Sequence, residues 1–142
     1  MIFLIDSLGS GGAERQVSLL SAEMQSLGAK VKVICFTAGH DFFAKELVKA
    51  NIQIVYLNEN SKSNFYLSAM WNLLKILKNE KQAILLPFLF KANLSCIFLK
   101  TFMGIQNKII CSERSSENAY KTLKLKFLRP IYLILSDKMF IQ

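Results

Sequence analysis

Short apolar runs that alternate with amphipathic stretches predict an α/β fold, an open, doubly wound parallel sheet. Three observations carry that prediction. The chain begins on the apolar run Ile2-Phe3-Leu4-Ile5, which a glycine-rich turn separates from a helical pattern. Ala83-Ile84-Leu85-Leu86 is continuously apolar, as expected of a strand buried on both faces. The 142 residues, 52% hydrophobic with 11 Phe, suffice for one domain with a sizeable core, since typical domains run to roughly 100–150 residues.

Taken in order, Ile2–Ile5 is the first strand. Ala13 to Leu27 follows as a helix with Ala13, Val17, Leu20, Met24 and Leu27 on one face. Gly28 is placed to stop it in a left-handed C′ conformation. Val31 to Phe36 is β-branched and partly alternating, the second strand. Thr37 to His40 turns the chain, and Asp41 is the expected N-cap of a short helix through Ala50. Ile52 to Leu57 is the third strand, and Asn58 to Asn64 a polar loop. Phe65 to Asn79 is the clearest helix, with Tyr66, Met70, Leu73, Leu74 and Leu77 as its apolar stripe. The fourth strand, Ala83 to Leu86, is expected to end at Pro87, and a loop from Phe88 to Asn93 to lead into a helix that stops near Gly104. Asn107 to Glu113 is the fifth strand, and Ser115 to Asn118 a loop. Tyr120 to Ser136 is a basic amphipathic helix interrupted by Pro130, and Lys138 to Gln142 a sixth strand. A domain seldom ends on an uncovered strand, so residues 1–142 are expected to be truncated in or after the sixth strand.

The net charge is +8, and residues 100–142 carry eight Lys/Arg against three Asp/Glu. That balance favours anionic partners, among them phospholipid headgroups. The helix from Tyr120 interleaves Lys121, Lys124, Lys126 and Arg129 with leucines and Phe127, which suits a helix on anionic lipid and equally one packed on the sheet with a wet basic edge. Met1 precedes an apolar run without a basic leader segment, and the longest apolar runs fall short of the ~20 residues of a membrane span, so a cytoplasmic protein is expected. Cys35, Cys96 and Cys111 lie in apolar surroundings without metal-ligand spacing, as buried free thiols would. His40, the single histidine, is expected in an exposed loop. No Ser/His/Asp, Cys/His or metal-ligand set can be assembled, and no groove-reading helix or aromatic platform points to nucleic acid.

In a doubly wound sheet, ligands bind beyond the carboxyl ends of the strands. The loops Leu8–Gly12, Phe88–Asn93 and Glu113–Asn118 have that position. Gly9-Ser10-Gly11-Gly12 lacks the third glycine of a dinucleotide fingerprint and the Gly-Lys-Ser/Thr of a phosphate loop. Its glycines would let a ligand approach the backbone and the helix dipole, or only let helix and strand pack closely. Glu14 suits the helix dipole, whereas Arg15 opposes it, which favours a ligand or interface role for the arginine. Lys91 and Asn93 follow a strand and a proline, and Glu113 and Arg114 follow a buried strand, where charges must be paired or face a ligand.

Gly11-Gly12-Ala13-Glu14-Arg15, a helix, and then Gly28-Ala29-Lys30-Val31-Lys32-Val33 resemble the opening of bacterial glycosyltransferases of family four. Phe88 to Asn93, Ile110 to Ser115 and the run from Tyr132 to Gln142 resemble that family's later segments, in the same order. The resemblance implies the N-terminal, acceptor-side Rossmann-like half of a GT-B enzyme. Such an enzyme retains anomeric configuration, takes a nucleotide-sugar as co-substrate, and usually needs no metal or other cofactor. It implies a polysaccharide or lipid-linked acceptor in cell-surface glycan synthesis, including lipopolysaccharide. It also implies contact with the inner face of an anionic membrane, for which Tyr120–Ser136 is the candidate. Gly11, Gly12, Glu14, Arg15, Lys91, Asn93, Glu113 and Arg114 become the candidate substrate-binding residues, with no catalytic residue or metal ligand assigned. Many members carry a histidine after the fifth strand; Glu113-Arg114 stands there in this chain, as in some branches of the family. The donor-binding half, with its paired glutamates, is not among these residues. A chain with only the acceptor side is expected to catalyse little alone, and a non-catalytic subunit that pairs with a separate donor domain is the alternative.

Overall fold

A computed structural model describes residues 1–58, 65–113 and 138–141. The described elements run β1 (Ile2–Ile5), α1 (Gly12–Ser26), β2 (Lys32–Cys35), α2 (Ala44–Lys49), β3 (Gln53–Tyr56), α3 (Phe65–Asn79), β4 (Leu85–Pro87), α4 (Leu89–Met103), β5 (Ile110–Glu113) and β6 (Lys138–Ile141). Every strand pair is parallel: β1 lies between β2 and β4, β3 pairs with β2, and β5 with β6. Two parallel bridges, Leu85–Ile109 and Phe88–Ser112, join β4 to β5. The order across the molecule is therefore β3-β2-β1-β4-β5-β6, the doubly wound order in which the topology reverses beside β1.

Both faces of β1 are buried, which explains why its sequence is apolar throughout. Ile2 and Leu4 point into a core shared with Leu73, Leu77 and Cys96 of α3 and α4. Phe3 and Ile5 point the other way, against Val17 of α1 and Leu47 of α2. This period of two sorts four consecutive apolar residues between two layers of helices.

Several local expectations need correction. Leu27 is 73% exposed, because the helix ends at Ser26 and the buried face of α1 instead takes Val17, Ser18 and Ser21. Ser21 is satisfied there by its hydroxyl, which donates to the Val17 carbonyl at 2.6 Å. Gly28 does hold a positive φ of 88° after the helix. Asp41 does not cap α2, whose N-cap is Phe43; Oδ1 of Asp41 accepts the Tyr56 hydroxyl at 2.6 Å instead. β4 ends at Pro87 as expected, but it starts at Leu85, and the proline is itself the last strand residue, paired with Leu4. A proline is tolerated there because the next residue supplies the donor: the Phe88 N–H reaches the Leu4 carbonyl at 2.8 Å. The loop expected from Phe88 to Asn93 is likewise absent, since α4 starts at Leu89. Arg114, the loop 115–118 and the helix Tyr120–Ser136 lie outside the described residues.

Candidate functional site

The site is built where β1 and β4 end side by side. After β1 the chain passes through Asp6 and Ser7 and is pinned at Leu8, which bridges Asp41 and accepts the Phe43 N–H at 3.2 Å. With Leu8 fully buried, the chain turns through glycines into α1. Gly11 is the N-cap, in extended conformation (φ −78°, ψ 170°), with no side-chain cap. The first helical bond runs from the Arg15 N–H to the Gly11 carbonyl at 3.0 Å. The earlier N–H groups of the first turn have no carbonyl within the helix to bond, and they carry the positive end of its dipole.

Gly11 and Gly12 are both exposed but differ in what surrounds them. The Glu14 carboxylate folds back against Gly11, so a Cβ there would displace it. Nothing lies within 4 Å of where a Gly12 Cβ would be. The open space is a cleft of about 740 Å³ lined by Gly12, Glu14, Arg15 and Leu19 of α1 together with Leu89 of α4. Leu89 holds a φ of 68°, a left-handed conformation that costs a bulky residue about 1–3 kcal/mol. That backbone lets α4 begin immediately after β4 and brings its first turn to the cleft edge.

Lys91, in the first turn of α4, forms an ion pair with Asp6 at 2.5 Å, and both side chains stay partly exposed. Its ammonium also lies 5.1 Å from the centre of the Phe36 ring. Phe36 stacks on Tyr66, whose hydroxyl is 2.8 Å from the Ser95 hydroxyl, and Ser95 donates to the Lys91 carbonyl at 2.8 Å. The ends of β1, β2, α3 and α4 are thus held together by one polar and aromatic cluster. Asp6, Phe36 and Tyr66 are members of it that sequence reasoning missed. Asp6 gave a usable signal, because an acidic residue directly after a buried strand needs a partner or a ligand.

Asn93 is fully buried. Its amide donates to the Ser112 carbonyl at 3.1 Å and fastens α4 to the end of β5, while Oδ1 is buried without a hydrogen-bond partner. The backbone of Glu113 ends β5 in register with Ile141. Gly12, Glu14, Arg15 and Leu89 at the start of α4 therefore share one cleft, Lys91 pairs with Asp6 and is not among the residues that line it, and Asn93 lies beneath the surface.

Cys35 and Cys96 are not activated. Burial above all, then the charges of Asp41 and Asp6, pushes Cys35 up to about 12, and burial followed by Cys111 pushes Cys96 up as well. All three cysteines are free and buried, and His40 is exposed. Among the described residues no cluster of His, Cys, Asp or Glu could hold a metal ion, and no helix is long and apolar enough to cross a membrane.

No protein-family model matches the chain. In sequence it is 30% identical over 135 residues to the GalNAc-alpha-(1->4)-GalNAc-alpha-(1->3)-diNAcBac-PP-undecaprenol alpha-1,4-N-acetyl-D-galactosaminyltransferase of Campylobacter jejuni. That match takes in 91% of this chain and 36% of the relative, so the chain spans little more than a third of the relative's length. In fold it is similar to a glycosyltransferase from Rickettsia africae, at 17% identity and a TM-score of 0.59, over 99% of this chain and 41% of the other. It is similar also to MurG of Acinetobacter baumannii, at 14% identity and a TM-score of 0.64, over 99% of this chain and 40% of the other. The expected α/β architecture with a parallel sheet, as in GT-B glycosyltransferases, is therefore the one observed. Sequence similarity and fold together relate this chain to glycosyltransferases.

Proposed function

We propose that the chain is the acceptor-side half of a retaining glycosyltransferase. The enzyme moves a sugar from a nucleotide-sugar to a polysaccharide or lipid-linked acceptor in cell-surface glycan synthesis, and the donor-binding half lies outside these 142 residues. The observation that carries the proposal is the uncapped start of α1, with Gly12 open to a cleft that α4 also lines. Free N–H groups and a helix dipole there suit the phosphates of a donor or the hydroxyls of a sugar. Gly11 and Gly12 give close backbone approach, Arg15 a permanent positive charge, and Glu14 an acceptor for sugar hydroxyls. Lys91 offers a second cation, positioned by Asp6. The family resemblance assigns Glu113 and Arg114 to the same site, and Asn93, through its bond to the Ser112 carbonyl, holds the end of β5 in place.

Retention of configuration rests on the family resemblance. A lipid-linked acceptor is favoured by the undecaprenyl-linked substrate in the name of the Campylobacter relative. Such an acceptor would keep the protein at the inner face of the cytoplasmic membrane. The test is transfer of radiolabelled sugar from a panel of nucleotide-sugars by the protein that carries this chain and a donor-binding half. Labelled lipid-linked or polysaccharide product is expected, and no transfer from any donor would overturn the proposal.

A further inference from the structure

The end of the sheet opposite the glycine turn carries a second cleft, which none of the candidate substrate-binding residues lines. It lies where the first four strands begin, has a volume of about 930 Å³, and gathers Lys30, Lys32, Lys78 and Lys81 around one carboxylate, that of Glu80. Lys30 and Lys32 come from the entry to β2, Lys78 from the last turn of α3, and Lys81 from the turn between α3 and β4. Glu80 forms an ion pair with Lys32. Among the described residues Lys30, Lys78 and Lys81 make no ion pair, and all three side chains are exposed. The dipole of α3 accounts for Lys78, but Lys30 and Lys81 lie beyond the ends of their helices. Ammonium groups that share a concavity repel one another, and an anion bound among them would offset that repulsion.

The lining identifies the ligand. Its floor is held in place by Asn107, fully buried, whose amide donates to the Glu80 carbonyl at 2.7 Å and to the Ala83 carbonyl at 3.0 Å. The Ala83 N–H closes the same turn on the Glu80 carbonyl at 3.0 Å. The lysines on this turn therefore project from a fixed backbone. No aromatic ring lines the cleft, so a nucleic-acid base would find no stacking platform. None of the exposed large apolar side chains lines it either, so nothing there would enter a lipid layer or the apolar centre of a protein interface. What remains is three unpaired ammonium groups with the side-chain amides of Gln53, Asn79 and Gln82 as further donors. Lysine binds phosphate as a point charge, and several lysines around one concavity suit a short chain of phosphates.

We infer that this cleft binds a linear chain of phosphates, free or carried by a nucleoside, through Lys30, Lys78 and Lys81, without reading the base. The site is separate from the cleft at the glycine turn, and it holds whether or not the sugar-transfer proposal does. A bound anion would tie the entry to β2 to the end of α3, and so would stabilise the folded chain.

The test is calorimetric titration of the 142-residue chain with sodium tripolyphosphate, ATP, GTP and orthophosphate, without divalent metal. Tripolyphosphate, ATP and GTP should bind within about three-fold of one another, with affinities that fall as salt is added, and each should raise the melting temperature. Orthophosphate, which reaches fewer lysines, should bind at least about ten-fold more weakly. Lys30→Gln and Lys81→Gln should each lower the affinity for tripolyphosphate about ten-fold, the loss of one charge-assisted hydrogen bond. The melting temperature of the free chain should not change, because both side chains are exposed. Gly12→Leu should leave tripolyphosphate binding as it is. No binding, or binding that survives both lysine changes or is lost in Gly12→Leu, would overturn the inference. So would a ten-fold preference for either nucleotide over tripolyphosphate, because a base would then be read. Tighter binding of a glutamate-rich peptide or an oligonucleotide through the same lysines would also overturn it, by assigning the cleft to a macromolecule.

Discussion

Gly11 and Gly12 are neighbours in the sequence, yet a side chain would meet different surroundings at each. At Gly11 it would displace only the end of the flexible Glu14 side chain. Gly11→Ala should therefore cost less than about 1 kcal/mol in stability, a typical N-cap effect, while moving the carboxylate away from the start of α1. Asn93 behaves oppositely. Its side chain is buried and holds the Ser112 carbonyl, so Asn93→Ala should lower unfolding free energy by about 1–3 kcal/mol, measurable by urea denaturation. Leu89 supplies a third contrast. Its positive φ would be relaxed by glycine but not by alanine, so Leu89→Gly should be the more stable of those two variants.

Strands and long helices were legible from the sequence because burial on two faces and a 3.6-residue period leave strong patterns. Phe65–Asn79 is observed as read, and β1 falls on Ile2–Ile5. The entry to α4 was not legible. Proline after an apolar run normally signals an end, and no propensity rule expects a leucine in the left-handed region to open a helix. The strand pairing of Pro87 with Leu4 and the backbone at Leu89 are set by tertiary contacts. The candidate site was half legible for the same reason. The glycine turn announces itself locally, whereas the pairing of Asp6 with Lys91 joins residues 85 apart and depends on β1 lying beside β4. Because that pair is partly exposed, Lys91→Met should cost no more than about 1 kcal/mol of stability, so any larger loss of sugar transfer would report function.

Across the whole molecule, two helical layers close over a sheet whose interior holds three free thiols. This gives stability a specific pH dependence. In the unfolded chain Cys35 ionises near its ordinary value of 9.0, while in the folded protein burial holds it protonated to about 12. The unfolded state therefore binds fewer protons between those values, and stability should be complete below pH 9 and fall as pH rises toward 12. Cys96, raised in the same direction, adds to the fall. Cys35→Ala should flatten the alkaline limb of the stability curve, as read by thermal denaturation against pH. Iodoacetamide at neutral pH should leave Cys35 and Cys96 unmodified in the folded chain.

In the proposed enzyme the start of α1 forms one wall of a sugar-transfer cleft. Gly12→Leu addresses it directly, because the side chain would enter open space and leave the fold intact. In the protein extended by its donor-binding half, transfer of labelled sugar should fall by about a hundred-fold or more in Gly12→Leu, a loss typical of a misplaced substrate, at an unchanged melting temperature. Undiminished transfer by that variant would contradict the account.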